Sequence, residues 1–495
     1  MSVQTFHELH VVSDLHFGGK PGFQIFRQGD TLASFIKNMA AQPSDRKIGV
    51  VFNGDIVDFL AEEPAAYLDP KGAIAKLERI FYEDPAFSGV WSALQEYVAQ
   101  PNRQLILILG NHDVELALPH VTEWIVENLS QGDAAARGSI TTCFDGAGFP
   151  CMVGNKSVFT IHGNDTDIWN MVNHRQLLDL ALAINTHETP PAWDPNAGTR
   201  MVIDVMNAIK RDYPIVDLLK PEAEAVVPIL LTLDPSRLKE ISKILAVAAY
   251  LSRDAVRRRM GFLSAEQEMV ASPISEEEVM TEFLNKYYEY ETAESADADS
   301  LISNAYDALE KGGRPEASPA DEELLGPFDY LPAIFSSEKD KVEKLRKALK
   351  KNLEGDPSFV ITHEDKMFEK MTKVVGSNVN YLITGHSHKE RAIARREPDC
   401  YYFNSGTWIR LIRLTEDVLD SSEEFARVYA AFQSGSMQKL DDINDLGPNR
   451  DKPLVMLVPT VVSIVERDGQ TYGELQHANP DGSLQAIENT RLPGR

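Results

Sequence analysis

"QLILILGNHD", residues 104–113, is a run of five apolar residues that stops at a glycine and ends in Asn, His and Asp. It is too short for a helix and too continuous for a strand with one wet face. Such a run reads as a strand covered on both sides, as in the parallel part of an α/β sheet. Its polar tail then stands at the carboxyl end of the strand, where α/β sheets place their ligands. The pattern recurs upstream in "LHVVSDLH" (9–16) and "IGVVFNGDIVD" (48–58). It returns late in the chain in "SFVITH" (358–363), "NYLITGH" (380–386) and "CYYFNSG" (400–406), all expected to be strands. Residues 458–476 read as a hairpin turning at Asp468 and Gly469.

The bulk composition narrows the function class. The chain has 495 residues, 43% of them hydrophobic and 25% charged, the balance of an ordered globular protein with room for two or three domains. Lys plus Arg total 49 against 75 Asp plus Glu, and the net charge of −26 opposes extended binding to nucleic acid or to an anionic membrane. Cys143, Cys151 and Cys400 form no CxxC pair, so neither a disulfide framework nor a thiolate zinc site is expected. With no signal-peptide pattern and no apolar stretch near membrane-spanning length, a cytoplasmic protein without a transmembrane segment is the expectation.

Between the early and late strand runs the texture becomes helical. Ile241, Ile244, Leu245, Ala248 and Leu251 form an amphipathic stripe, Asp234–Pro235 suits a helix start, and Ser275 with Glu278 suits a capping box. The acidic, Ala/Ser/Pro-rich stretch near 291–323 is expected to be an exposed loop. The organisation expected is a core in two parts, 1–165 and 357–495, interrupted by an α-helical insertion over 166–356.

Five motifs end or follow the expected strands: "SDLH" (13–16), "NGDIVD" (53–58), "LGNHD" (109–113), "IHGND" (161–165) and "TGHSH" (384–388). Each has an ordinary reading when taken alone: a Gly-Asn turn, a capping Asp, a pair of solvated histidines. Together, Asp14, His16, Asp55, Asn111, His162, His386 and His388 offer imidazoles and hard oxygens without thiolate, a donor set for divalent Mn, Fe, Zn or Co. Seven donors in five loops exceed the needs of one ion and favour two.

The order D-x-H, G-D-x-x-D, G-N-H-D, H-G, G-H-x-H resembles the calcineurin-like metallophosphoesterase superfamily, over residues 7–165 and 357–476. The resemblance implies a four-layer α/β sandwich, two mixed β-sheets flanked by helices. It implies that Asp14, His16 and His388 hold one metal, that Asn111, His162 and His386 hold the other, and that Asp55 bridges them. Mn is the expected metal, with Fe, Zn, Ni or Co as alternatives. The implied reaction is hydrolysis of a phosphodiester or pyrophosphate by metal-activated hydroxide. His112 would face the substrate as a catalytic residue, Asp113 would orient it, and Asp58 would be a hydrogen-bond partner rather than a ligand. Asn404 and Gly406 in "NSGTW" would shape the loop beside the metals. Arg391 and Arg410 are candidates for substrate phosphate, with a solvated surface position as their ordinary reading.

"GNHDVEL" and "HGNDTDIWN" also show a looser likeness to the branch of UDP-2,3-diacylglucosamine pyrophosphatases. The chain departs from that branch at His112, where Arg is frequent, and in the more than 200 residues separating His162 from His386. Because both ends of the insertion join ligand loops, it is expected to serve as a lid, a specificity cap or an arm for homo-oligomerisation. The substrate expected is a small or medium phosphoester. A metal-dependent nuclease of the same fold and a non-catalytic scaffold are the alternatives.

Overall fold

A computed structural model describes residues 3–167, 169–234, 338–448 and 452–493. The stripe at 241–251, the helix start at Asp234–Pro235, the box at Ser275–Glu278 and the acidic stretch at 291–323 lie outside the described residues or run beyond them. The chain divides into two compact units.

The first unit comprises Met1–Ile203, Pro357–Arg410 and Leu457–Arg495. It holds a seven-stranded sheet in the order Leu484–Ala486, Gln470–Ala478, Thr460–Arg467, Glu8–Val12, Ile48–Asn53, Arg103–Ile108, Ile140–Cys143. Its last four strands are mutually parallel, and the first three join them antiparallel. A six-stranded mixed sheet runs Gln4–Phe6, Phe149–Val153, Lys156–Thr160, Tyr381–Thr384, Tyr401–Ser405, Glu390–Ala394.

Alternation along the strands explains their unbroken apolar runs. Val50, Phe52, Leu105 and Leu107 pack with Phe35, Phe87, Trp91 and Ile125 from helices on one face of the larger sheet. Val51, Ile106 and Ile108 point the other way, into a second core shared with Cys151, Val158, Tyr381, Ile383 and Phe403 of the smaller sheet. Leu382, Ile393 and Tyr402, on that sheet's outer face, are covered by Met367, Phe368 and Met371 of the helix Lys366–Val374. Helix, sheet, sheet and helix therefore make four layers, with the strands Ile48–Asn53, Arg103–Ile108 and Tyr381–Thr384 buried along their whole length. The hairpin forms as expected: Arg467 pairs with Gln470, and Asp468 and Gly469 take φ of 53° and 76°, the positive pair a tight two-residue turn requires.

"SFVITH" is not a strand. Residues 354–365 are irregular, and a single backbone bond, from the Ala392 amide to the Ile361 carbonyl at 3.2 Å, touches the sheet edge. Two interactions hold the segment out of a ladder: Arg391 donates to the Ser358 carbonyl at 3.1 Å, and Asp365 caps the next helix by accepting from the Phe368 amide at 3.0 Å. The edge is instead the strand Glu390–Ala394. Arg391 and Arg410 are 0% and 1% exposed, so the surface reading of both is corrected. Arg391 is an internal clamp, donating through Nε to Asp365 at 3.0 Å.

The second unit comprises Asp204–Asp356 and Leu411–Met456, and among its described residues it is mainly helical. The sequence boundaries differ from these: 166–203 lie with the first unit, and 411–456 leave it. The latter stretch contains the amphipathic helix Ser422–Gln433, which buries Phe425, Val428, Tyr429 and Phe432. The helix Glu338–Leu353 buries Leu345, Ala348 and Leu349 at i, i+3, i+4 and packs on Glu222–Leu233. Leu219–Lys220 pairs with Ile412 and Arg413 in a short parallel ladder. Among the described residues, no helix is long and apolar enough to cross a membrane.

One buried polar ladder ties two strands of the larger sheet. His10 bonds Ser463 at 2.8 Å and Glu8 at 3.2 Å, and Arg46 meets Glu8 at 2.8 Å. The hydrogen bond from His10 outweighs burial, with Arg46 assisting, and holds the Glu8 carboxyl at about 2. A carboxyl depressed in the folded state stabilises fully above its unfolded value, near 4.5, and loses that contribution as pH falls towards 2. In urea unfolding between pH 5 and pH 2, the stability difference between wild type and Glu8→Gln is expected to shrink steadily towards zero. A gap that stays constant to pH 2 contradicts the assignment.

Candidate metal centre

The seven proposed donors sit in loops that follow strand ends, and the backbone there is unusual. Asp14, His16, Asp55, His386 and His388 have φ of 54°, 49°, 50°, 64° and 57°, the left-handed region that side-chain-bearing residues enter at a cost. The neighbouring glycines serve close approach. A Cβ on Gly385 would lie 2.6 Å from Ser13 Oγ and 2.9 Å from Asp14 Oδ2. One on Gly110 would strike Asp55, and one on Gly54 would strike the His162 ring. The loops thus touch backbone to side chain, which brings five segments into one pocket.

The ligand atoms group accordingly. Asp14, His16 and His388 form one cluster, Asp55, His162 and His386 another, and His16, Asp55 and His112 a third between them; within each cluster the atoms lie within 4.8 Å of one another. Asp55 is common to two: its Oδ2 is 3.3 Å from His162 Nε2 and 3.8 Å from His16 Nε2. His388 Nε2 is 3.1 Å from Asp14 Oδ1. His162 Nδ1 donates to the Asn53 carbonyl at 2.7 Å, which leaves Nε2 as the ring atom facing Asp55. Asn111 turns its Nδ2 to Asn170 Oδ1 at 3.4 Å.

Electrostatics test whether cations suit this pocket. Burial pushes the Asp14 carboxyl up, but His388 and His162 outweigh it and hold it at about 2. Asp55 is likewise raised by burial and brought well below the carboxylate range by His162 and His112. Burial lowers His162, yet Asp55 and Asp14 pull it up to about 10. Two buried carboxylates therefore stay ionised and draw positive charge onto their neighbours. In addition, both ring nitrogens of His16, Nε2 of His162 and Oδ1 of Asn111 are buried and make no hydrogen bond. Imidazole nitrogens and an amide oxygen left unbonded beside ionised carboxylates fit hard or borderline divalent cations, which would take the place of protons there. All three cysteines are free, and none belongs to these clusters.

The expected partnership of Asp113 with His112 is corrected. Asp113 Oδ1 accepts from the Gly110 amide and Oδ2 from the Ile56 amide, both at 2.7 Å, so its carboxylate staples two loops together. Burial and the nearby Asp55 charge push this carboxyl up to about 7. The carboxylate that reaches His112 is Asp58, with Oδ1 3.2 Å from Nδ1. Asp58 Oδ2 also lies 3.6 Å from His16 Nδ1. Asn404 Nδ2 donates to the Gly385 carbonyl at 2.8 Å, and Gly406 has φ of 61°, so the "NSG" turn shapes the His386–His388 loop as expected. Sequence reasoning missed the contacts of Asp167 with His386 and of Asn170 with Asn111. The only signal was the polar density of "HGNDTDIWN".

Residues 8–205 match the family model of calcineurin-like phosphoesterases. The match supports the metallophosphoesterase superfamily and takes in Asp14, His16, Asp55, Asn111, His112 and His162, while His386 and His388 lie beyond it. No curated protein matches the chain. Family and His/Asp clusters together point to a metal-dependent phosphoesterase.

Gly385→Ala is expected to destabilise the protein by about 1–3 kcal/mol through overpacking. It should also reduce bound metal, because Asp14 must yield. Chemical denaturation and elemental analysis check both effects; unchanged metal content would show that the close approach is not needed for binding.

Proposed function

From a chain whose residues 8–205 match the calcineurin-like phosphoesterases, we propose a binuclear metal-dependent hydrolase of a phosphodiester or pyrophosphate bond in a small or medium substrate. One observation carries the reading: the Asp55 carboxylate lies within reach of both His16 and His162, at the junction of two ligand clusters. On this reading Asp14, His16 and His388 hold one ion, Asn111, His162 and His386 the other, and Asp55 both. Bound there, two divalent cations, with Mn as our assignment, supply Lewis acidity that activates water and neutralises charge on the phosphoryl oxygens.

The remaining work falls to this chain's own groups. Asp58 is held well below the carboxylate range; burial opposes this, and His112 and His16 outweigh it. An ionised Asp58 accepts a hydrogen bond from His112 Nδ1, which orients the ring and favours its doubly protonated form, and the second proton, on Nε2, is assigned to the leaving oxygen, the ring becoming neutral. His112 is 19% exposed, more than any of the proposed ligands, of which His388 at 13% comes next, as suits a group that meets substrate. Asp113, with both oxygens on backbone amides, keeps the two loops in register. The net charge of −26 supports a small substrate over a polynucleotide. Three free cysteines support a reducing, cytoplasmic location.

With bis(p-nitrophenyl) phosphate and Mn²⁺, His112→Ala is expected to lower kcat by about 10²–10⁴ while metal content is kept, the range for losing a general acid. Asp55→Asn is expected to lose both paired metal and turnover, by elemental analysis and the same assay. Turnover unaffected by either substitution overturns the enzyme reading. A metabolite and oligonucleotide panel separates the phosphoesterase from a nuclease, and uniform inactivity with two ions bound would indicate a scaffold.

A further inference from the structure

After His162 the chain makes one short 3-10 turn, Asn164–Thr166, and Asp167, Trp169 and Asn170 then form a polar knot. Asp167 Oδ1 accepts from the Trp169 amide at 3.0 Å, and Oδ2 accepts from Asn170 Nδ2 at 2.8 Å. The same Oδ2 is 3.2 Å from His386 Nε2. Asn170, oriented by Asp167, presents Oδ1 to Asn111 Nδ2 at 3.4 Å. Behind the knot, the Gly198 amide donates to the Trp169 carbonyl at 2.7 Å, and a Cβ on residue 198 would collide with Asn170 Oδ1.

Each contact removes an ambiguity in a metal-binding side chain. A carboxylate can bond only a protonated ring nitrogen, so Asp167 places the His386 proton on Nε2 and leaves the lone pair on Nδ1. An amide binds cations through oxygen and not nitrogen, and Asn170 holds the Nδ2 end of Asn111. The Oδ1 end is thereby turned away, buried and without a hydrogen bond. The other proposed ion is served by different groups: Ser13 Oγ donates to Asp14 at 2.5 Å, and Asp58 lies beside His16 at 3.6 Å.

We infer that Asp167, acting with Asn170, is a positioning residue for one ion of the pair, the ion assigned to Asn111, His162 and His386. The inference rests on the binuclear reading above. It implies that the two metal affinities can be changed separately, since Asp167 touches a ligand of one ion and none of the other.

The test is Mn²⁺ titration of the full chain by calorimetry, with electron paramagnetic resonance to report the exchange-coupled pair. For Asp167→Ala, one site is expected to weaken by about 10- to 100-fold, the usual effect of removing a hydrogen-bond partner of a ligand, while the other keeps wild-type affinity. The coupled signal should give way to that of an isolated ion. Asp167→Glu should restore coupling in part, and thermal unfolding of the metal-free proteins should agree. Asn170→Ala, which leaves Asp167 in place, should weaken the same site and decides the matter if Asp167→Ala does not fold. Two ions bound with wild-type affinity and coupling in these variants overturn the inference alone, as does equal weakening of both sites. A wild-type protein that binds no ion pair overturns the binuclear reading, and the inference with it.

Discussion

The structure depends on enclosing two ionised carboxylates, Asp14 and Asp55, among imidazoles at the edge of two packed sheets. Charge so buried is tolerated only with counter-charge and precise contacts around it. The backbone meets that demand at a conformational cost. Five donor-bearing residues adopt positive φ, and three glycines give up a side chain so that the loops can meet. The surrounding layers have to be rigid enough to hold these conformations, and continuous apolar strands dry on both faces provide that rigidity.

Much of this was legible in the sequence, for identifiable reasons. Ile48–Asn53 and Arg103–Ile108 announce themselves because both faces of each strand are buried, so no polar residue interrupts the run. The seven donors stand out because few residue types can do their chemistry, and each directly follows a strand. Glu390–Ala394 was hidden by Arg391, a buried cation where a strand would ordinarily carry an apolar residue. Residues 359–361 misled in the opposite sense, apolar without a ladder to join.

Within the site, adjacency in sequence was a poor guide to partnership. Asp113 follows His112 directly, yet its oxygens face the amides of Gly110 and Ile56. Asp58, 54 residues earlier, reaches the ring. Which carboxylate serves which imidazole depends on the course of the backbone after the turn, and no spacing encodes that. The role of Gly385 was similarly obscured: the sharp backbone turns belong to His386 and His388, and the glycine clears space for Ser13 and Asp14.

The donors also differ in where they arrive along the chain. Asp14, His16, Asp55, Asn111 and His162 come early in the chain, and His386 and His388 come late, in the loop after the strand Tyr381–Thr384 that pairs with Lys156–Thr160. During synthesis five of the seven donors are made well before the last two imidazoles, the first of which comes 224 residues after His162. At ordinary translation rates that interval is roughly 10–45 seconds. Throughout it, the central strand of the smaller sheet is missing and the edge of Lys156–Thr160 is uncovered. Until the intervening segment has been made, the nascent chain carries Asp14 and Asp55 without the two imidazoles of His386 and His388, so the length of that segment sets how long the donor set stays incomplete.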